Sequence, residues 1–243
     1  MLYFRRVAIY LAGGVIGSLM ASMVTAQPTQ NDPVSANAHV NQLGTSVTSS
    51  GAFSYPRPPA RSANIPRTRW EHRSDSVLWT RAALSALKSH AAPLANSTPE
   101  DIDTWCPSYR TGSQADRRDF WVGFLSALAK FESTYKPEAV GGGGRWYGLL
   151  QILPATARGY GCHARSGAAL QNGAANLSCG LRIMTQTVLR DGVIAHKDSR
   201  WRGVSADWGP MRSASKRKDM SQWLARQTYC KPLNATRPKV RPS

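Results

Sequence analysis

Apolar residues recur at the spacing of an α-helix in most of the chain between residues 67 and 230, whereas the alternating pattern of strands is nearly absent. Gly-rich breaks separate these helical segments, and no internal repeat is present. The predicted fold class is therefore mainly α, with at most a small ribbon around the glycines at 141–144. Since 42% of the residues are hydrophobic, the chain can form one globular core and is neither a disordered chain, a fibre nor a polytopic membrane protein.

Five segments carry helix signals. Ser74 and Asp75 can cap the first helix, whose apolar side would carry Val77, Leu78, Leu84 and Leu87. The second predicted helix begins near Ser113, and the third begins at Pro154 and ends at Gly159 or Gly161. The fourth spans residues 172–191, with Gly192 as its C-terminal cap. The fifth carries Met220, Trp223 and Leu224.

The N-terminal segment is typical of a secretory signal peptide. Arg5 and Arg6 precede an apolar run over residues 7–24, and small residues lead up to Ala26. We expect cleavage after Ala26 and a periplasmic protein. The alternative is an uncleaved inner-membrane anchor, because 18 mostly apolar residues can just span a bilayer.

The regions outside the helical part have the composition of disordered chain. Residues 27–66 are rich in Gln, Asn, Ser, Thr, Pro and Ala and carry almost no charge, which predicts a flexible linker. Residues 231–243 are Pro-rich and basic, which predicts a disordered tail. The predicted organisation is thus a signal peptide over 1–26, a linker over 27–66, a catalytic domain over 67–230 and a tail over 231–243.

The chain is strongly basic, with 31 Lys and Arg against 14 Asp and Glu and a formal net charge of +17. Such a charge favours polyanionic partners, either nucleic acid or an anionic cell envelope. Export favours the envelope, and the chain lacks a recognisable nucleic-acid readout motif. The charge can alternatively serve solubility alone.

All four cysteines lie downstream of the signal segment, where disulfides are permitted. We favour Cys162–Cys179, which closes a local excursion, together with Cys106–Cys230, which joins the ends of the domain. Zinc is the weaker alternative, because the chain has no C-x-x-C pair and only Cys162 and His163 put two soft ligands close together. No metal site is therefore predicted.

Glu132 is the candidate catalytic acid. At about 100° per residue it continues the apolar stripe formed by Trp121, Leu125 and Leu128. A carboxyl group against apolar surface prefers its neutral form and can serve as a general acid near neutral pH. The competing interpretation is that the helix frays before Pro137 and that Glu132 points to water.

The residues that follow Glu132 carry a family resemblance. Ser133, Pro137 and Ala139 precede a glycine run and the segment Gly148-Leu149-Leu150-Gln151-Ile152, which leads to Pro154-Ala155-Thr156-Ala157. This order resembles the soluble lytic transglycosylase (SLT) domain family, which shares a lysozyme-like fold with goose-type lysozymes. The resemblance covers about thirty contiguous residues.

The resemblance implies a function and a set of roles. Glu132 would be the single acid/base that cleaves the MurNAc-GlcNAc bond of peptidoglycan and leaves an anhydro end, and no cofactor would be needed. Ser133 would position the sugar or the acid. The remaining substrate-binding candidates are Tyr147, Gly148, Leu149, Leu150, Gln151, Asp207 and Trp208.

The sequence departs from the family pattern at three places. Leu150 replaces the usual Met, and the 141–147 loop is slightly longer than usual and carries Trp146 where a small residue is expected. Asp207, in a degenerate version of the family's Ala-Tyr-Asn-Ala-Gly element, would occupy the place of a cleft Tyr that contacts the acid. Its charge would then raise the pKa of Glu132 further, and it could act as the base of an inverting hydrolase.

Three alternatives to the transglycosylase remain open at this point. The first is a hydrolase (muramidase) that uses Asp207. The second is a peptidoglycan-binding module without turnover. The third is an accessory protein of a secretion or pilus assembly, with an inner-membrane or secretion-machinery partner. We expect a monomer in each case.

Overall fold

The computed structural model describes residues 65–231. The predicted signal peptide, almost all of the predicted linker and the tail from residue 232 lie outside the described residues. The mainly α fold class is confirmed. The helices are α1 Ser76–Lys88, α2 Ala92–Asn96, α3 Ile102–Trp105, α4 Gln114–Glu132, α5 Pro154–Gly159, α6 Gly167–Leu170, α7 Gly173–Asp191 and α8 Ala214–Ala225. Short 3₁₀ helices span Val204–Ala206, Gly209–Arg212 and Thr228–Cys230.

Helix α4 forms the centre of the domain. A capping box fixes its start, because the Ser113 hydroxyl accepts from the Asp116 N–H while the Asp116 carboxylate accepts from the Ser113 N–H. All ten residues from 120 to 129 are buried, so the helix is enclosed on every side instead of along one stripe. Helices α1, α2 and α8 pack against it.

Helix α1 presents a different face from the predicted one. Val77 and Leu78 are 44% and 60% exposed, whereas Trp79, Ala83 and Leu87 are buried. The Trp79 indole packs edge-on against Trp70, with 5.8 Å between the ring centroids, and lies against α7 so closely that a Cβ on Gly173 would meet its Nε1 at 2.4 Å. The larger indole therefore sets the buried face of the helix.

Two short antiparallel ribbons complete the domain. Strands β1 (Val140–Gly141) and β2 (Trp146–Tyr147) pair around the glycine run, as the sequence predicts. Strands β3 (Ala195–Lys197) and β4 (Trp201–Gly203) pair beyond the end of α7 and were not predicted. Their three-residue strands are too short and too exposed to show an alternating pattern.

The predicted cysteine pairing is confirmed. Cys106 is bonded to Cys230 and Cys162 to Cys179, with Cα–Cα distances of 4.8 and 5.2 Å. The alternative of a zinc site at these cysteines is therefore wrong. The first bond joins the segment after α3 to the last 3₁₀ turn, across a sequence separation of 124. Within residues 65–231, no helix is both long and apolar enough to cross a bilayer.

Candidate active site

A cleft of about 550 Å³ lies at the C-terminal end of α4. Glu132 faces it from the helix, Trp146 from the first ribbon and Gln151 from the turn that follows the ribbon. Residues 207–210 and Arg212 face it from the 3₁₀ segments after β4. A recess of about 100 Å³ shares Trp146, Gln151, Asp207 and Trp208 and continues the cleft to Ile183 of α7. The domain thus carries an open groove with an acid at one end.

Glu132 is the last residue of α4 and is partly buried. The helix does not fray before it, and the side chain faces the cleft. Desolvation raises the pKa of Glu132 to about 7, against the opposing charge of Lys216. A substantial fraction of this carboxyl group is therefore protonated near neutral pH, which suits a proton donor.

Ser133 fastens the end of α4 to the floor of the cleft. Its Oγ donates a hydrogen bond of 2.9 Å to the carbonyl oxygen of Leu149, and the side chain is buried. Since the hydroxyl is occupied within the protein, Ser133 is placed to hold Glu132 in position rather than to contact a sugar.

The backbone is strained around the acid. Among residues 65–231, the non-glycine residues with positive φ are Thr134 (52°), Tyr135 (61°) and Gln151 (48°). The first two directly follow Glu132 and Ser133, and the third faces the cleft. Such conformations cost of order 1–3 kcal/mol each and tend to cluster at functional sites.

Residues 148–151 mostly lie behind the surface of the cleft and support it, and only one of them lines it. Leu149 and Leu150, which were predicted as part of the strip that lines the glycan cleft, have no exposed surface, so their side chains do not contribute to the lining. Gly148 is also buried at a φ of 79°, and a Cβ there would meet the carbonyl oxygen of Leu170 at 2.1 Å. Gln151 alone faces the cleft, and its amide donates to the carbonyl oxygens of Ala139 and Gly148.

Asn176 of α7 holds this segment in place and was missed by the sequence analysis. Its Nδ2 donates to the carbonyl oxygens of Tyr147 and Leu170, and its Oδ1 accepts from the Leu150 N–H, all at 2.9 Å. The side chain is fully buried. The sequence carried a signal for this role, because Asn176 lies beside Leu177 in an otherwise apolar helix face. A buried amide needs hydrogen-bond partners, so an amide at this position indicates a structural role.

Trp146 and Tyr147 occupy opposite faces of strand β2. Trp146 faces the cleft, is 42% exposed and lies over Gly142, where a Cβ would meet its ring at 2.2 Å. The Tyr147 ring packs against Gly167 of α6, and its hydroxyl donates to the carbonyl oxygen of Gly144 at 2.6 Å. Successive strand residues point to opposite faces, so Trp146 lines the cleft together with Trp208, whereas Tyr147, which was predicted as a cleft residue, does not.

Asp207 and Trp208 lie in the cleft wall, as proposed from the sequence. Trp208 is 4% exposed, and its Nε1 donates to the carbonyl oxygen of Leu150 at 3.0 Å. Desolvation raises the pKa of Asp207, and the charges of Arg190 and Arg212 oppose this shift. Desolvation and the opposing charge of Lys216 act on the pKa of Glu132, and the expected effect of Asp207 on this pKa stays a prediction.

No group of three or more His, Cys, Asp or Glu side chains capable of holding a metal ion occurs in the described part of the chain. The cleft itself presents the Glu132 carboxyl group with its raised pKa, the Asp207 carboxyl group and the rings of Trp146 and Trp208.

A mainly helical, disulfide-linked domain that presents one such acid to an open groove has the architecture of a lysozyme-like, glycan-cleaving domain. Residues 111–202 match the family described as Transglycosylase SLT domain. The chain belongs to this family. Asp207 and Trp208 lie beyond the matched range.

Two solved structures of one protein support this assignment. The wild-type form 2 of Bd0314 DslA is 31% identical, with 70% of this chain and 100% of that chain covered and a TM-score of 0.63. A mutant of Bd0314 DslA, with one glutamate replaced by glutamine, is also 31% identical over the same shares of the two chains, with a TM-score of 0.64. No curated protein sequence matches the chain.

Proposed function

We propose that the protein is a peptidoglycan lytic transglycosylase in which Glu132 is the only acid/base. The observation that carries the proposal is a carboxyl group with a pKa of about 7 at the rigid end of a buried helix, facing a groove beside the aromatic Trp146. Membership of the transglycosylase SLT domain family supports the choice of substrate.

The reaction uses one proton at Glu132, which the side chain first donates and then regains. Glu132 donates its proton to the glycosidic oxygen as the bond from C1 of MurNAc to that oxygen breaks. The carboxylate then takes the proton from the C6 hydroxyl of the same sugar as its oxygen bonds to C1. No water is consumed, the product carries an anhydro end, and Glu132 is protonated again. A pKa near neutrality suits a group that must act in both directions.

Ser133 and Asn176 act as positioning residues in this proposal. Ser133 fixes Glu132 to the carbonyl of Leu149, and Asn176 fixes the 147–150 segment to α7. Trp146 and Trp208 would lie along the glycan, because flat amphipathic rings stack on sugar faces. Gln151 lines the same cleft and would lie along the glycan beside them.

Hydrolysis is the second candidate, because Asp207 places a second carboxyl group in the same cleft. An inverting pair activates water between two carboxyl groups about 6.5–9.5 Å apart. The raised pKa of Glu132 has desolvation as its largest cause and does not require a second carboxylate, which favours a solitary acid. A binding module remains an outcome of the experiment below, whereas an accessory role in a secretion or pilus assembly stays a prediction.

We further propose that the protein is exported to the periplasm and acts as a monomer. The two disulfides are consistent with an oxidising compartment. The predicted signal peptide lies outside the described residues. Recruitment by an inner-membrane or secretion partner through the basic tail stays a prediction.

The test is a product analysis. Purified protein, Glu132→Gln and Asp207→Asn are incubated with peptidoglycan sacculi, and the released muropeptides are identified by mass. Glu138→Gln, in an exposed position of the following loop, is the matched control. We expect anhydro ends from the wild type, Asp207→Asn and Glu138→Gln, and none from Glu132→Gln. Reducing ends that vanish with Asp207→Asn would establish hydrolysis, and binding without release by any form would establish a binding module.

A further inference from the structure

Lys216 lies on the first turn of α8, and its side chain contacts the last turn of α4. Its Nζ is 5.5 Å from the centroid of the Phe131 ring, the residue that precedes Glu132. Ser213 caps the helix by accepting from the Lys216 N–H, which fixes the backbone from which the lysine extends. Helix α8 itself packs against α4.

The three basic residues of the run 216–218 point to different places. Arg217 lies 5.6 Å from the Trp201 ring centroid and donates to the carbonyl oxygen of Met211. Lys218 is exposed and faces a separate depression beside Trp105. Successive helical residues are rotated by about 100°, so the run does not form one patch. Of the three, Lys216 is the one that contacts the last turn of α4, at the ring of Phe131 next to Glu132.

Lys216 also differs from the other lysine near Phe131. Lys130 Nζ lies 4.9 Å from the same ring centroid, but it is paired with Asp219 at 3.3 Å. Asp219 is shared with Arg69. Lys216 has no ion-pair partner among residues 65–231, so its charge is not neutralised locally.

We propose that Lys216 is a positioning residue for the proton transfer, whose charge stabilises the carboxylate that Glu132 becomes after it donates its proton. The inference rests on the proposed role of Glu132 as acid/base. An ionised carboxylate in a partly desolvated cleft is costly, and a nearby unpaired cation reduces that cost. Lys216 thus strengthens Glu132 as an acid without touching the sugar.

The other charged groups around the acid do not fill this role. Asp207 and Arg212 face the same cleft from the 3₁₀ segments, where Arg212 donates to the carbonyl oxygens of Ser205 and Ala206. Arg145 of the ribbon lies over the Trp146 ring at 5.2 Å. The charge of Lys216 lowers the pKa of Glu132, against the larger effect of desolvation.

The experiment is a direct titration of Glu132 in the folded full chain. The sequence has only four glutamates, so ¹³C labelling of the Glu side-chain carboxyls gives four signals, and Glu132→Gln identifies the one of interest. The variants are Lys216→Met, Lys216→Arg, and Lys218→Met as the control that removes the same charge two residues away. The pH dependence of anhydro-product release is measured on the same proteins.

We expect Lys216→Met to raise the pKa of Glu132 by roughly half a unit or more, whereas Lys218→Met leaves it unchanged and Lys216→Arg restores most of the wild-type value. The limb of the activity profile that reports Glu132 should move to higher pH by the same amount. An unchanged Glu132 titration in Lys216→Met, or an equal change in Lys218→Met, would overturn the inference. If Glu132→Gln retains activity while the titration responds to Lys216, the proposed function is wrong and the electrostatic coupling stands.

Discussion

The Ser133 hydroxyl and the Leu149 carbonyl, 2.9 Å apart, join the end of the most enclosed helix to the segment beneath the cleft. Glu132 immediately precedes Ser133, so its backbone position depends on this bond and on whatever holds Leu149. The 148–151 segment is in turn bonded to Asn176, which connects the acid to α7 through two polar side chains.

We predict that Asn176→Ala destabilises the protein by about 3 kcal/mol, because it leaves the buried Leu150 N–H and the Leu170 carbonyl without partners and removes one of the two bonds to the Tyr147 carbonyl, which keeps the Ile152 N–H. Asn172→Ala, which removes only the exposed N-cap bond of the same helix, should cost about 1 kcal/mol. Chemical denaturation of the two variants measures the difference. Equal losses would show that the three bonds do not have this role.

Two glycines with similar backbone angles should respond differently to alanine. Gly148 and Gly161 have φ values of 79° and 66°, but a Cβ on Gly148 would collide with Leu170 and Asn176, whereas nothing lies within 4 Å of a Cβ on Gly161. Gly161→Ala should cost about 1 kcal/mol of conformational strain. Gly148→Ala should cost about 3 kcal/mol or more and abolish activity. Thermal unfolding and product release measure both, and a harmless Gly148→Ala would contradict the packing described here.

Glu132→Gln should stabilise the protein above neutral pH. The pKa of Glu132 is raised from 4.5 to about 7, so the folded state holds a proton that the unfolded state releases as the pH rises through this range. The free energy of unfolding of the wild type therefore falls relative to Glu132→Gln between about pH 4.5 and pH 7.

The difference should reach about 2 kcal/mol at pH 8, after allowance for the partial exposure of the side chain. Urea unfolding at pH 4.5, 6 and 8 measures it. Glu138→Gln, in its exposed position, provides the reference. A difference between Glu132→Gln and the wild type that does not vary with pH would mean that Glu132 is not desolvated.

Trp146 should matter for glycan binding and Tyr147 should not. In a Glu132→Gln background, which prevents turnover, Trp146→Ala should weaken the binding of soluble peptidoglycan fragments about tenfold through loss of the exposed ring. Tyr147→Phe removes only the bond to Gly144 and should leave binding within about twofold. Calorimetric titration measures both. A larger loss of binding in Tyr147→Phe than in Trp146→Ala would show that Tyr147, and not Trp146, contacts the glycan.

The features that depend on local chain properties could be predicted from the sequence. The start of α4 follows from Ser113 and Asp116, the end of α7 from Gly192 in a left-handed conformation, and the position of Glu132 at the end of a buried helix from apolar spacing. The cysteine pairing followed from the ends of the segments to be joined.

The features that depend on packing between distant segments could not. Whether Trp146 or Tyr147 faces the groove depends on how a two-residue strand lies against α6, and no periodicity can be measured over two residues. Leu149 and Leu150 match the family motif, but their side chains lie in the core. They support the cleft through their backbone, since the Leu149 carbonyl accepts from Ser133 and the Leu150 N–H donates to Asn176. The face of α1 depended on the fit of Trp79 against α7.

The enclosure of α4 on all sides also has an evolutionary consequence. Side chains from 120 to 129 have no free surface, so substitutions there disturb the whole core and are the least tolerated route to change. Changes in glycan preference are expected instead at Trp146, Asp207 and Arg212, which are exposed, face the cleft and lie outside this core. Substrate choice can thus diversify among descendants of this chain while the reaction itself is inherited unchanged.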